Sequence, residues 1–570
     1  MTTIAVDGLR PGIRDFGARI LDAATASHAG VVAFLLAMSL VCFLPGFFSI
    51  GPFDRDESRF AQATKQMIES GDYVDIHFRN EVRYKKPVGI YWMQAAAVRA
   101  GEALGVPQAR TTIWLYRIPS LVGALAAVLL TYWAALAFVS RRSACLAALM
   151  LAASLMLGIE ARLAKTDAVL LATVVAAMGA MGRVYLNNNP AAALGWALPA
   201  VFWTALAAGI LIKGPLVVMI VALTALALVI FDRSAGWILR LRPLAGTAWL
   251  LLLVLPWFIA IVGRAGDQFF VDSVGSDLMS KLTGGSEGHG APPLTYLALV
   301  WLMFWPAAPL AALAAPGVWR DRRDPAVRFL LAWLVPAWIV FELVPTKLPH
   351  YVLPLYPAIA MLIAWAIERD ALSAKRWIVR ITTHWPVVAA VLPILGIVVV
   401  IVLRRQLGLL AWPFAAGAMI FGFFAWRLFA EDGAARSFLR AAVASQLVSI
   451  AVFGATVPLL HPLFPAAALA EAVAPRCEHP RYASGGYHEP SLVFLFGSAT
   501  LLTDGSGAAD FLSEGACRFA LVEGRQERSF ARRAEAIGLR YAPGPRVDGF
   551  DYNDAGRAIS IAVYRSEPQP

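Results

Sequence analysis

The sequence predicts an α-helical polytopic membrane protein, and this prediction rests on three observations. Hydrophobic residues make up 59% of the 570 positions, whereas charged residues make up only 15%, against about 25% in an ordinary soluble domain. The chain carries 18 Trp and 31 Phe, more apolar surface than a soluble protein of this size can hide. Apolar runs of bilayer-spanning length follow one another from His28 onward. A soluble enzyme, a disordered chain and a disulfide scaffold are therefore excluded.

The apolar runs predict about 13 transmembrane helices. They lie at residues 29–49, 114–138, 143–160, 167–182, 193–212, 215–231, 244–262, 293–314, 327–345, 351–367, 386–403, 407–426 and 441–460. Several runs contain Pro or Gly, which membrane helices tolerate where neighbouring helices satisfy the backbone. The first run lacks a small-residue cleavage signal and is followed by further runs, so we expect it to be an anchor.

The net charge of +11 reflects basic residues concentrated in alternate turns between these runs. The basic turns contain Arg10, Arg14 and Arg19; Arg141 and Arg142; Arg183; Arg233, Arg240 and Arg242; Arg320, Arg322, Arg323 and Arg328; Arg369, Lys375, Arg376 and Arg380; and Arg427, Arg436 and Arg440. By the positive-inside rule these turns are cytoplasmic. The N-terminus is then inside the cell, and an odd number of spans puts the C-terminus outside. A basic composition therefore requires no nucleic acid partner.

Three segments on the predicted outer side are long enough to carry function: residues 50–113, 263–292 and 461–570. We divide the chain into a transmembrane domain (1–460), which contains the first outer loop (50–113), and a periplasmic C-terminal domain (461–570). Short apolar runs at 491–496, 518–522 and 558–564 flank a helix-like stretch near 526–537, which predicts a small α/β domain. Cys477 and Cys517 would meet oxidising conditions there and can form a disulfide if the fold brings them together.

The first outer loop opens with a cluster of charges at Asp54, Asp56, Glu57 and Arg59. Apolar residues then recur at helical spacing up to a Gly that is typical of a helix C-cap, which predicts an amphipathic helix along the membrane surface. Two interpretations of the carboxylates stay open. Asp54 and Glu57 fit a variant of a capping box, whereas Asp56 in a cavity at the membrane face could accept a proton from a hydroxyl.

The same loop contains Arg83, Tyr84, Lys85 and Lys86 immediately before Pro87. Three cations beside an aromatic ring at a membrane surface are typical of a phosphate-binding site, because Arg binds phosphate bidentately and Lys supplies a point charge. Anchoring to anionic lipid headgroups is the alternative, although it fits the outer side less well.

Other polar residues crowd at the same predicted edge of the membrane. The second outer turn contains Glu160, Arg162, Lys165 and Asp167, and four charges between two spans indicate a polar cavity. Asp167 is alternatively only a helix cap, and Lys213 in an apolar run is alternatively a snorkelling residue. A later segment supplies Lys347, His350, Tyr351 and Tyr356. His350 could bind a metal beside a carboxylate, but a lone His is more often an interfacial residue.

The segments DESRF, RYKKPVGIYW, ARLAKTD, IKGP and KLPHYVLPLYP together resemble the motifs of the bacterial aminoarabinose transferases. They also resemble related proteins of the dolichyl-phosphate-mannose protein mannosyltransferase type. Both are membrane glycosyltransferases of the GT-C fold. The resemblance runs in order through about residues 30–365, whereas the tail offers only YHEPSLVFLFG as a weak match.

The resemblance implies roles for particular positions. Asp56 matches the first-loop Asp at the catalytic centre, and Arg59 matches the Arg three residues after it. Lys86 matches the Lys of a Glu-Lys-Pro motif, and that Lys contacts the carrier phosphate. Lys347 and Tyr351 match a Lys-Leu-Pro-x-Tyr motif beside the same phosphate. Asp167 matches the second-loop Asp near the acceptor.

One departure from the family pattern matters for the chemistry of the site. Lys85 replaces a Glu that helps to hold a divalent ion in the related enzymes. A cation there would repel a metal but could itself neutralise a leaving phosphate. We therefore expect that no cofactor is required and assign no metal site.

These observations predict an inner-membrane glycosyltransferase whose active site faces the periplasm. Its partners would be a polyprenyl-phosphate sugar donor, membrane lipids and an acceptor such as lipid A, lipopolysaccharide core or another outer-leaflet glycolipid. Asp56 and Asp167 are the predicted catalytic residues. The predicted substrate-binding residues are Arg59, Arg83, Tyr84, Lys85, Lys86, Arg162, Lys347 and Tyr351. The alternatives are a protein O-mannosyltransferase and a transporter or flippase of lipid-linked sugar, although a transporter should carry its key charges near the bilayer midplane.

Overall fold

The computed structural model describes residues 16–187, 195–266, 268–271, 290–473, 477 and 479–566. Arg10, Arg14 and most of the predicted outer segment 263–292 lie outside the described residues. The rest of the chain consists of a large helical body followed by a small mixed domain of strands and helices.

The helical body contains 18 α-helices of six or more residues among the described residues. They are α1 (Phe16–Thr25), α2 (His28–Phe43), α3 (Asp56–Ser70), α4 (Gly89–Ala103), α5 (Ile113–Ala135), α6 (Arg141–Ala152), α7 (Leu155–Glu160), α8 (Asp167–Leu186), α9 (Ala197–Lys213), α10 (Leu216–Asp232), α11 (Pro243–Ala265), α12 (Thr295–Met303), α13 (Ala308–Arg320), α14 (Pro325–Leu343), α15 (Tyr356–Glu368), α16 (His384–Arg404), α17 (Trp412–Arg427) and α18 (Phe429–Ser449). Two short strands, β1 (His77–Phe78) and β2 (Glu81–Val82), form a hairpin between α3 and α4.

All thirteen predicted runs are helical, which confirms a multi-pass membrane protein. Within the described part of the chain, eight helical segments are long and apolar enough to cross a membrane, and α2, α9 and α10 are shorter apolar helices. The remaining runs, 143–160 and 293–314, are each broken into two helices. The second break lies at Pro306, because a proline supplies no backbone N–H to continue the helix.

The most extensive helix–helix contact in the described part of the body joins α5 to α8. A Cβ atom on Gly123 would lie 2.8 Å from the backbone of Val169, and one on Gly179 would lie 2.5 Å from the Trp133 ring. Glycine at these positions therefore lets the two helices approach closely. This contact matters for function because α5 carries Arg117 and α8 begins at Asp167.

The first loop is folded rather than extended along a lipid surface. Helix α3 forms where the apolar spacing predicts it and ends at Gly71 in the left-handed conformation. One face of α3 packs through Phe60 and Met67 into the helical body, while Ala61 and Ile68 pack with Phe494 of the C-terminal domain. Apolar contacts on both sides bury the helix, so it is not the exposed amphipathic helix that the pattern alone predicts.

The predicted C-terminal α/β domain is confirmed. Its elements are α19 (Pro465–Ala472), β3 (Arg481–Gly485), α20 (Pro490–Phe496), β4 (Leu501–Thr503), α21 (Gly505–Ser513), β5 (Arg518–Glu523), α22 (Glu527–Ala536), β6 (Tyr541–Asp551) and β7 (Arg557–Ser566). We call these elements the tail domain. The five strands lie in the order β4-β3-β5-β7-β6, parallel in the first three and antiparallel in the rest.

Alternating side chains of β5 bury the two faces of this sheet. Leu521 packs in a cluster with α19 and α20, whereas Ala520 and Val522 pack with α21 and α22. A disulfide joins Cys477 to Cys517 beside the start of β5. The run 491–496 is helical rather than extended because Pro490 supplies a preset first helical residue.

The predicted topology can be checked with fusions. A reporter placed after Pro570 should report the periplasmic side, because 13 spans from a cytoplasmic N-terminus end outside. A fusion after Arg369, in a predicted cytoplasmic turn, is the matched control and should give the opposite signal. Cytoplasmic signal from both fusions would mean that the number of spans is even.

Candidate active site

A cavity of about 970 Å³ opens at one end of the helical body. It lies where the first outer loop (50–113) meets the second outer turn (160–167), which we call the first and second loops. It is bordered by the end of α7, the start of α8 and the end of α9. Nine of the ten predicted site residues line it: Asp56, Arg59, Arg83, Tyr84, Lys85, Lys86, Arg162, Asp167 and Tyr351. Residues that are up to about 300 positions apart in sequence therefore share one space.

Asp56 is the first residue of α3, and its side chain is exposed towards this cavity. The preceding Arg55 has φ 65° and ψ −113°, a backbone conformation that L-residues rarely adopt. No side chain caps α3. The capping-box interpretation of Asp54 and Glu57 is thus wrong, and each of these carboxylates has a different partner.

Glu57 forms a fully buried ion pair with Arg117 of α5, and the two side chains are 1% and 0% exposed. Arg117 Nε lies 2.8 Å from one carboxylate oxygen and Nη2 lies 2.9 Å from the other, a bidentate geometry. The guanidinium also donates to the carbonyl oxygens of Phe47, Ile50 and Gly51. Glu57 in turn accepts the backbone N–H groups of Phe53 and Ala164. This pair therefore fixes the first loop against the second, immediately beside Asp56.

Asp54 instead binds the tail domain. Its carboxylate accepts the backbone N–H of Ser491 at 2.9 Å and the hydroxyl of Tyr487 at 3.3 Å. Burial raises the pKa of Asp54 to about 6, although the Ser491 hydrogen bonds act in the opposite direction. The neighbouring Glu489 also has a pKa raised to about 7, first by burial and then by the Asp54 charge.

The second loop contributes a compact cluster of opposite charges. Lys165 Nζ lies 3.0 Å from Glu160, and Lys213 donates to Asp167. The His350 ring bridges the two carboxylates at 3.6 Å and 3.7 Å. Burial alone would lower the pKa of Lys165, but the nearby Glu160 and Asp167 charges outweigh burial and raise it. Two carboxylates and two ammonium groups thus balance each other inside the cavity wall.

The donors in this cluster raise the question of a metal ion. Glu160, Asp167 and His350 offer ligand atoms that lie within 4.8 Å of one another, a donor set that suits a divalent cation. However, Lys165 and Lys213 already bind one oxygen of each carboxylate, so their ammonium groups compete with a metal for these ligands. The second oxygen of Glu160 is buried with no hydrogen-bond partner among the described residues.

The cations of the first loop form another part of the cavity wall. Arg83 lies with its guanidinium carbon 5.2 Å from the centre of the Phe60 ring, which anchors it to α3. Tyr84 is buried, donates to Asp75 at 3.0 Å and packs edge-on against Phe269. Lys85 is exposed to the cavity, and Lys86 is half-buried beside it. This wall can contact a phosphate group through three positive side chains.

Two predicted substrate ligands, Lys347 and Arg162, make hydrogen bonds to the protein itself. Lys347 does not line the cavity; its ammonium group donates to the carbonyl oxygen of Val344 at 2.6 Å. Arg162 lines the cavity, but its guanidinium donates to Pro45, Gly158, Cys42 and Ser449. Burial lowers the pKa of Arg162 to about 10, so it stays charged at neutral pH. We assign Arg162 to holding the second loop rather than to binding substrate.

The structure also brings to the site residues to which the sequence analysis assigned no catalytic or substrate-binding role. Glu160, Lys165, Lys213 and His350 stand out by charge alone, but only the structure assembles them around Asp167. Arg117 has a signal that could have found it, because a lone Arg in an apolar run must have a buried partner. The partner of Asp54 has no local signal, since it lies 437 positions away.

Comparisons with known proteins confirm the resemblance and the GT-C fold. A family model described as dolichyl-phosphate-mannose-protein mannosyltransferase matches residues 48–267. Similar curated proteins are named undecaprenyl phosphate-alpha-4-amino-4-deoxy-L-arabinose arabinosyl transferase. One from Pseudomonas fluorescens (strain Pf0-1) is 27% identical over 355 residues, covering 61% of this chain and 60% of that protein. Another from Pseudomonas aeruginosa (strain LESB58) is 30% identical over 316 residues, covering 55% of each.

Solved structures extend the similarity of fold to nearly the whole chain. The crystal structure of ArnT from Cupriavidus metallidurans in the apo state has a TM-score of 0.72 at 19% identity and covers 95% of this chain and 99% of that one. The structure of the same protein bound to undecaprenyl phosphate has a TM-score of 0.71. The sequence matches, in contrast, span less than two thirds of the length of the curated relatives.

The Arg117–Glu57 pair makes a testable prediction about stability. Arg117→Ala should destabilise the protein by about 3–5 kcal/mol, because it leaves the Glu57 charge buried without a partner. Thermal unfolding of the purified protein in detergent measures this effect. Arg142→Ala removes a half-exposed pair with Asp22 and should change stability by less than about 1 kcal/mol. Equal unfolding temperatures for the two variants would contradict the assigned role.

Proposed function

We propose that the chain is an inner-membrane glycosyltransferase whose cavity faces the periplasm. It moves a sugar from a polyprenyl-phosphate donor to lipid A, lipopolysaccharide core or another outer-leaflet glycolipid. The observation that carries this proposal is the single cavity in which Asp56 faces three first-loop cations and the Asp167 cluster. The names of the similar curated proteins support the same donor class and make 4-amino-4-deoxy-L-arabinose the first sugar to test.

The reaction we propose is a displacement at the anomeric carbon of the donor. The acceptor oxygen forms a new bond to that carbon, the bond from the carbon to the carrier phosphate breaks, and its electron pair stays on the phosphate. A hydroxyl acceptor would pass its proton to Asp56, the exposed carboxylate of the cavity. A phosphate leaving group needs no proton, so one base suffices, unlike the paired carboxylates of glycosidases.

The leaving phosphate requires stabilisation as its charge grows. Arg83, Lys85 and Lys86 line the same wall and supply positive charge at a site partly shielded from water, where each contact is worth more than in bulk solvent. Tyr351 lies near Lys213, whose ammonium group is 5.4 Å from the Tyr351 ring centre. This contact joins two residues that line the same cavity.

Asp167 has a different role from Asp56 in this proposal. Two ammonium groups contact its carboxylate, so it stays ionised and is a poor proton acceptor. It can instead orient the acceptor through hydrogen bonds while Lys213 and His350 hold it in place. We therefore assign the proton transfer to Asp56 and the orientation of the acceptor to Asp167.

The location of the charges argues against a transporter. The charged residues of the cavity lie in loops or at helix ends: Asp56 and Asp167 are first residues of helices, and Lys213 is a last residue. A transporter of lipid-linked sugar should place such residues near the middle of broken helices. Turnover of a lipid-linked sugar by the purified protein tests the proposal directly, and a glycosylated peptide product instead of a glycolipid would favour a protein O-mannosyltransferase.

Asp56→Asn should abolish sugar transfer while leaving expression and unfolding temperature unchanged. The amide cannot accept the proton, and Asp56 caps no helix, so little stability is lost. Transfer is measured by mass spectrometry of the acceptor lipid. Asp548→Asn, an exposed carboxylate of β6, is the matched control and should retain full activity. Near-normal turnover of Asp56→Asn would remove this residue from the mechanism.

Transfer should also survive chelation by EDTA. We propose that Lys85, at the position of the metal-binding Glu of the related enzymes, supplies charge to the carrier phosphate in place of an ion. Lys85→Glu should abolish transfer or make it depend on an added divalent ion, and Lys85→Gln should lower kcat because it removes one charge. The assay uses the wild type with and without EDTA, and each variant with and without zinc or manganese.

Loss of transfer on chelation would contradict the metal-free proposal. If Glu160 and His350 bind an essential ion, EDTA should stop transfer by the wild type and zinc or manganese should restore it. Lys85→Gln would then change little. Glu160→Gln separates the two cases further, because it should weaken metal rescue only if the ion is held there.

A further inference from the structure

The tail domain contacts the first loop at the residue two positions before Asp56. Both the side chain and the backbone of Asp54 form hydrogen bonds with the tail domain. The carboxylate accepts the Ser491 N–H and the Tyr487 hydroxyl. The Asp54 N–H donates to the hydroxyl oxygen of Tyr552. All three partners belong to the tail domain, and Asp54 itself lines the cavity. The tail domain therefore holds in place a residue that lines the candidate active site.

The segment between these contacts and α3 has an unusual backbone. Arg55 has φ 65° and ψ −113°, a conformation that is normally left to glycine. Such a conformation persists only where the surroundings enforce it. Here the Glu57–Arg117 pair holds the helix that follows Arg55, and the tail domain holds the residue that precedes it. Arg55 is thus fixed from both sides.

Further contacts make this docking extensive. The ring of Phe464 lies edge-on to Phe53 with 5.1 Å between the centres, and it also packs against Gly51. A Cβ atom on Gly51 would lie 3.2 Å from the Phe464 ring, so the backbone approaches the ring closely. On the far side of α3, Lys65 donates to the carbonyl oxygen of Phe494 at 2.9 Å. The tail domain therefore holds the loop before α3 and α3 itself.

We propose that Tyr552 and Tyr487 of the tail domain are positioning residues that, through Asp54, hold the strained Arg55 turn and so aim Asp56 into the cavity. This proposal rests on the proposed function, because it assigns a geometric task to the carboxylate that accepts the proton. In this proposal the tail domain sets the geometry of the active site. This role would also explain why the tail resembles the family at YHEPSLVFLFG, because that segment contains Tyr487 and Ser491.

The first test removes single hydroxyl groups. Tyr552→Phe leaves the Asp54 N–H without its acceptor, and Tyr487→Phe removes one donor to the carboxylate. Each should lower kcat by about 10-fold to 100-fold, the cost typical of a misplaced catalytic group. The KM for the lipid-linked donor should change less than twofold, because the phosphate-binding wall lies on another segment. Tyr482→Phe, the same change on β3 beside Phe496 and Phe519, is the matched control and should leave both constants unchanged.

The second test asks whether strain at Arg55 links the tail domain to Asp56. Glycine adopts this backbone conformation without steric cost, so Arg55→Gly should make the turn less dependent on the tail domain. In a double-mutant cycle, Tyr552→Phe should lower kcat less in the Arg55→Gly background than in the wild type. Loss of the Arg55 side chain does not bias this comparison, because the effect of Tyr552→Phe on kcat is measured separately within the wild type and within Arg55→Gly. Equal losses in the two backgrounds would overturn the proposal.

A third readout does not depend on activity. Hydrogen exchange of a peptide covering residues 50–60 should be faster in Tyr552→Phe and Tyr487→Phe than in the wild type, and unchanged in Tyr482→Phe. A wild type that transfers no sugar but shows this exchange pattern would sink the proposed function while keeping the docking of the loop. An active wild type whose Tyr552→Phe and Tyr487→Phe variants keep normal kcat would sink the positioning role while keeping the function.

Discussion

The buried pair of Arg117 and Glu57 is the interaction on which the rest of the site depends. It joins three parts of the chain, because Arg117 lies on α5, Glu57 on α3, and the backbone N–H of Ala164 in the second loop donates to the same carboxylate. A buried ion pair of this kind often adds little net stability, since both charges must leave water. Its value here is geometric: breaking it would release the first loop from the helical body at the residue next to Asp56.

This pair also explains how two carboxylates from distant segments come to face one cavity. Glu57 holds Ala164 three positions before Asp167, and the Lys165 carbonyl oxygen accepts the Ser120 hydroxyl of α5. The same helix α5 packs closely on α8, which begins at Asp167. The separation of the two loops is therefore set by a rigid helix rather than by the loops themselves.

Much of this arrangement could be predicted from the sequence, and the failures share one cause. The apolar runs, the helix after Asp56 and the α/β character of the tail depend on local pattern, and all three are confirmed. The contacts of Asp54, Arg162 and Lys347 could not be predicted, because local pattern shows the charge of a residue but not its partner. Arg117 and Glu57 are 60 positions apart, and Asp54 and Ser491 are 437 apart. A charge pattern can thus show that a polar site exists, but only packing shows which charges are already satisfied.

The positions of Asp56 and Asp167 at the starts of helices are compatible with both a structural and a catalytic role. Asp56 and Asp167 are both first residues of helices, where the helix dipole favours a negative charge, and Lys213 is a last residue, where it favours a positive one. Neither aspartate caps its helix through the side chain, so each carboxylate can point away from the backbone. Glu160 is the exception, because it ends α7, where the dipole disfavours an anion, and Lys165 compensates for this. The helix position that stabilises each carboxylate as an ion is therefore also the position from which it lines the cavity, so the structural and catalytic interpretations do not exclude each other.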